Sequence, residues 1–111
     1  MFFSANIWVS HLKSVSSPQE DTIKCSAGII HQIDILFPVN SNREVFVKLL
    51  DEGYQLFPTN MDGYIRANNT IIASREFYEL SPDRNTITVV SYNEHKDDDF
   101  LISVMLVGKS W

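Results

Sequence analysis

The chain is short of the residues that usually carry chemistry. It has one cysteine, Cys25, so no disulfide can form within it, and a lone thiol fits a reducing compartment. Its four glycines are too few and too scattered for a phosphate-cradling loop or a dinucleotide fingerprint. Basic side chains are outnumbered, with 9 Lys and Arg against 14 Asp and Glu for a net charge of -5. They are also spread singly from Lys13 to Lys109, so no patch stands ready to neutralise a phosphate backbone. No apolar run approaches the ~20 residues of a membrane-spanning helix. The first residues, Met1 to Ser10, lack both the basic region and the long apolar core of a signal peptide. The expectation is a soluble protein without a signal peptide, a nucleic-acid partner or a membrane partner.

What the chain does have is apolar and aromatic: 44% hydrophobic residues, among them seven Phe, four Tyr and two Trp. At 111 residues it is expected to form one domain, spanning 1–111, with a core that needs no metal or disulfide. Ile29, Ile33, Ile35 and Phe37 alternate with Gln32 and Asp34, which is the period of a half-buried strand, and Pro38 stops it. Thr86 to Tyr92 and Phe100 to Val107 read as strands joined by a polar loop. Residues 6–13, 22–25, 45–50 and 54–57 add shorter candidates, as do 70–73 and 76–80. Asp51-Glu52-Gly53 has the form of a hairpin turn with glycine where φ is positive. Roughly eight strands, separated by turns every ~8–12 residues, predict an all-β fold, an antiparallel β-sandwich that is jelly-roll-like.

Catalytic and metal signatures are missing. His11, His31 and His95 are the only imidazoles. His31 falls on the alternating face of Ile33 and Ile35, which reads as a packing histidine, and Asp34 at an odd spacing points the other way. Cys25 reads as a buried, inert thiol. Asn93 to Asp99 carries three consecutive acids, but not the alternate ligands and central glycine of a calcium loop, so it reads as a solvated hairpin loop. No metal, no cofactor and no catalytic residue is assigned, and the chain is not expected to be an enzyme.

The aromatics that do not fit an alternating core are the functional candidates. Phe2, Phe3, Trp8, Tyr54, Phe57, Tyr64 and Trp111 are read as interface residues, because large rings bring contact area at low entropic cost. A second reading makes the domain a carbohydrate- or ligand-binding module, with Tyr54 and Tyr64 as stacking rings and Asn60 and Asp62 as hydroxyl partners.

Several stretches also carry a resemblance. Gly28-Ile29-Ile30-His31-Gln32-Ile33-Asp34-Ile35-Leu36-Phe37-Pro38, then Gly53-Tyr54-Gln55-Leu56-Phe57-Pro58-Thr59, Phe77-Tyr78-Glu79-Leu80 and Tyr92-Asn93 follow one another in order. Together they resemble a loose group of short all-β proteins encoded by tailed phages, archaeal viruses and environmental viral genomes. The resemblance covers residues 28–107. It implies a virion-associated structural protein, a capsid decoration or connector subunit. Such a protein would be made in the host cytoplasm and located in the virion. Its partners would be other virion subunits, including copies of itself.

Overall fold

The computed structural model describes residues 2–60 and 63–110. Eight strands run in order: β1 (Phe2–Val9), β2 (Gln19–Lys24), β3 (Gly28–Phe37), β4 (Val45–Asp51), β5 (Tyr54–Phe57), β6 (Thr70–Leu80), β7 (Thr86–Asn93) and β8 (Phe100–Ser110). No helix occurs among the described residues. The strands form two four-stranded antiparallel sheets, β1-β8-β3-β6 and β2-β7-β4-β5. Pairing is nested: first strand with last, second with second-last, third with sixth, fourth with fifth. A single long hairpin, folded over on itself, produces this jelly-roll arrangement.

The core lies between the sheets and follows the period of two. Ile7 and Val9 on β1, Ile33, Ile35 and Phe37 on β3, and Ile102, Val104 and Leu106 on β8 point inward from the first sheet. Val45, Val47 and Leu49 on β4 and Ile87 and Val89 on β7 meet them from the second. Each fully buried chain of this kind contributes about 1.5–3 kcal/mol relative to exposure. The β4–β5 hairpin turns on Glu52 (φ 47°) and Gly53 (φ 90°). Two successive positive φ values match the right-handed strand twist in a two-residue loop.

Three expectations change. In β3 the register shifts between Ile30 and Gln32 against both neighbours. That irregularity turns Ile30 into the core in place of Ile29 and leaves His31 exposed, so His31 is not a packing histidine. Residues 70–73 and 76–80 belong to one strand, β6. The strand read over 6–13 instead runs from Phe2 to Val9, and between β5 and β6 the chain makes an isolated bridge, in which Ile65 exchanges backbone hydrogen bonds with Val47 at 2.9 and 2.8 Å.

Gly28 opens β3 where the chain lies against the end of β8. A Cβ there would stand 2.3 Å from the Lys109 carbonyl oxygen, so only glycine permits the approach.

Candidate functional site

Alternation along the strands decides which rings can meet a partner. On β1, odd positions face the core, so Phe3 is half-buried and packed against it, while Phe2 and Trp8 project outward. Their cross-strand partners on β8 are Val107 and Leu101. Leu36 of β3 pairs with Ile71 of β6 on the same outer face, and Phe77 lies further along β6 beside His31. Phe2, Trp8, Leu36, Ile71, Phe77 and Leu101 are all exposed, with Trp8 at 63% and Phe77 at 69%. The other exposed large apolar residues among those described, Leu12, Val15, Val39 and Tyr54, lie in loops or at a strand end. Scattered apolar residues on a surface are ordinary, but here Trp8, Leu101, Leu36 and Ile71 gather toward one end of a single sheet face, with Phe2 and Phe77 on its two edge strands toward the other.

Charges on this face balance. Asp34 and Glu79 stand against Arg75 and Lys109, each at an outward register position. The chain as a whole carries -5, so its excess negative charge sits elsewhere.

The outer face of the second sheet is different. Phe46 and Tyr92 stack there with ring centroids 4.5 Å apart and planes at 6°. Tyr64 crosses both edge-on, at 6.3 and 4.9 Å. The Arg66 guanidinium lies 4.3 Å over the Phe46 ring, and Lys48 Nζ lies 4.6 Å over Tyr64. Burial raises the Tyr92 phenol above its ordinary pKa. The strap that carries Tyr64 is pinned by Gln55, whose Nε2 reaches the carbonyls of Pro58, Asn60 and Gly63 at 2.8, 2.9 and 3.1 Å. Ser41 Oγ, wholly buried, lies 3.0 Å from the Ala67 carbonyl at its far end.

Among the interface candidates, then, Phe2 and Trp8 share an open face and Phe3 sits beneath it. Tyr54 is exposed but lies away from that face, against Tyr78 at the end of the β4–β5 hairpin. Phe57 is a core side chain, 8% exposed, and presents no surface for contact. Tyr64 is half-buried against its own chain. Trp111 lies outside the described residues, as does Asp62 of the ligand-binding reading. Tyr54 and Tyr64 cannot form one stacking platform: Tyr54 pairs with Asp51 on the inward side of the second sheet, whereas Tyr64 packs on its outer side.

The remaining polar groups gather at the sheet ends. At one, Asn93 is buried and its Nδ2 donates to the carbonyls of Val9 and Asp98. Nearby, the His11 backbone N–H donates to Asp99 Oδ1 at 2.8 Å, and His11 Nδ1 lies 2.7 Å from the same oxygen. These bonds hold the Asp99 carboxyl below its ordinary pKa, the backbone donor contributing most. His95 Nδ1 accepts from the backbone N–H groups of Asp97 and Asp98, at 3.1 and 2.9 Å. No cluster of three or more metal-ligating side chains occurs among the described residues. Cys25 is buried, and burial pushes its thiol up to about 11.

At the other end, Asp51 is 4% exposed and receives the Tyr78 hydroxyl at Oδ2. Arg84 reaches the same oxygen at 3.4 Å through Nη2 and Glu52 at 3.1 Å through Nε. Burial, with the Asp51 hydrogen bond, raises the Tyr78 phenol well above its ordinary pKa. Sequence reading took Asp51 only as the first residue of a turn. The signal was present in Val45-x-Val47-x-Leu49-x-Asp51, which places a carboxylate on the core side of a strand.

No family model, no curated protein and no solved structure matches the chain.

Proposed function

We propose that the protein is a structural subunit without catalytic activity, which works by docking the outer face of its β1-β8-β3-β6 sheet onto copies of itself. The observation that carries this reading is the alignment of Phe2, Trp8, Leu36, Ile71, Phe77 and Leu101 on that one face. Four strands at ~4.8 Å spacing and an eleven-residue β8 at ~3.3 Å per residue give a face of ~700 Å². A standard interface buries about 800 Å² per partner, so one face is close to sufficient. Balanced charge supports a second copy as occupant, because an acidic face would repel its own twin. The jelly-roll topology suits such a subunit, since closed symmetric assembly repeats one contact over many copies.

The assembly is proposed to be a virion, on the strength of the sequence resemblance. Two experiments test the reading. Light scattering over a concentration series should give a mass above one chain, falling to one chain when Trp8 and Phe77 are both replaced by serine. A wild-type protein that stays monomeric at every concentration overturns self-docking. An antibody against the folded protein, applied to particles purified from the cells that make it, should label intact particles. Label confined to the soluble fraction overturns the virion assignment.

A further inference from the structure

We propose that the mouth between the two sheets, at the end marked by Asp51 and Tyr78, binds a neutral, hydroxyl-rich ligand the size of one sugar ring. This site is separate from the docking face and does not depend on it. Asp51 ends β4 on its inward side, and Tyr78 faces it from β6 of the opposite sheet. Between them opens a cleft of about 330 Å³, lined by Asp51, Tyr78, Leu80, Ser81, Pro82 and Arg84 among others. That volume is at the small end of ligand sites, which run from about 300 to 1,000 Å³. The loop that carries Arg84 is stitched to itself: Ser81 and Arg84 exchange backbone hydrogen bonds, and Ser81 Oγ accepts from the Arg84 N–H at 3.0 Å. Arg84 is therefore held at its base, while its half-exposed side chain reaches across to Asp51 and Glu52.

Three observations select the ligand. First, Asp51 Oδ1 is buried and no hydrogen-bond donor reaches it among the described residues. Buried polar atoms are normally satisfied, so an incoming hydroxyl that reaches this oxygen supplies what it lacks. Second, the cleft presents both signs, with Arg84 bridging Asp51 and Glu52 and with Glu79 also in the lining. An anion would face three carboxylates, and a cation would have to compete with the guanidinium. A hydroxyl can donate to a carboxylate and accept from the guanidinium. Third, Tyr54 is 62% exposed and lies on Tyr78, centroids 6.2 Å apart and planes at 19°. Tyr54 is not itself in the cleft lining but rests on Tyr78, which is, and so extends the rim with a flat ring that can meet the C–H face of a sugar.

The test is a titration of isotope-labelled protein with glucose, galactose, mannose and N-acetylglucosamine, followed by chemical shift. Sorbitol, acetate and methylammonium serve as comparators. At least one sugar should give saturable shifts at Tyr54, Tyr78 and Arg84 with a Kd of about 1 mM. Tyr54→Ala and Arg84→Gln, both exposed positions, should each weaken it by about tenfold, the factor a stacked ring can supply. Sorbitol has the hydroxyls without the ring and should bind more weakly. A Trp8→Ser variant should bind as the wild type does, which separates this site from the docking face. Absence of saturable shifts with all four sugars overturns the proposal. So does binding that survives both variants unchanged, or binding of acetate or methylammonium alone.

Discussion

On the β2-β7-β4-β5 sheet, Phe46 and Tyr92 would stand in water were it not for Tyr64 and Arg66, which the chain lays across them. On the β1-β8-β3-β6 sheet, Phe2, Trp8 and Phe77 remain exposed among the described residues. Both sheets thus carry aromatic rings on the side away from the core. One covers them with a strap between β5 and β6, tied down by Gln55 and Ser41. The other leaves its rings uncovered on the strands themselves, where a partner can approach. The comparison separates two uses of the same residue type: rings that complete a fold and rings that are left available. It also accounts for Tyr64, read from the sequence as an interface residue, being half-buried against its own chain.

The comparison can be broken from either side. Tyr64→Ala should uncover the second sheet and cost the fold about 3 kcal/mol, read from urea unfolding, because it removes a ring packed on two others. Self-association should be untouched by it. Trp8→Ala with Phe77→Ala should do the reverse. Association should weaken by about 2 kcal/mol, the loss expected when aromatic anchors are removed from an interface, in sedimentation experiments. The stability of the monomer should move by no more than about 0.5 kcal/mol, since both rings are exposed. If the two variants trade these effects, the assignment of faces is reversed. Arg66→Ala should cost about 1 kcal/mol of stability through its lost packing on Phe46, again without changing the mass in solution.

The smallest effect should come from a bond that touches neither face. Asp99 is exposed, and its carboxyl pKa is lowered, first by the His11 backbone N–H and then by the His11 side chain. A lowered carboxylate pKa adds stability that is fully present above the ordinary carboxylate value and is lost as pH falls through the lowered one. Thermal unfolding midpoints should therefore drop slightly in acid, and Asp99→Asn should remove that part of the slope. Association measured at the same pH should follow the wild type.

Much of the fold was legible because burial imposes a period of two. Ile33, Ile35 and Phe37 read correctly, as did the strands around Thr86–Tyr92 and Phe100–Val107, since one face of each packs on the core. Two features were not legible. The register shift beside His31 reverses inward and outward for the residues on its N-terminal side, and no local composition marks it. The covers of individual rings depend on distant chain: Phe57 is buried from across the sandwich, and Tyr64 meets Phe46 and Tyr92 from separate strands. The pairing of Tyr78 with Asp51 likewise joins residues 27 positions apart in the chain. Phe2 and Trp8 were singled out only as rings without a place in an alternating core; that they share a strand and a face was not legible, because β1 starts at Phe2 and not at residue 6.

The nested pairing also orders events during synthesis. β8 is the last of the eight strands to be made, yet in space it lies between β1 and β3. A growing chain that has reached Asn93 holds every strand of the second sheet, while β1 still lacks its neighbour and β3 has an open flank. The first sheet therefore cannot accumulate strand by strand as the ribosome proceeds. It closes in one late step, when Phe100–Ser110 slides between two strands that have been waiting for it, and pairing of that kind over long sequence separations is slow. Until then the cell must shelter an unfinished sheet.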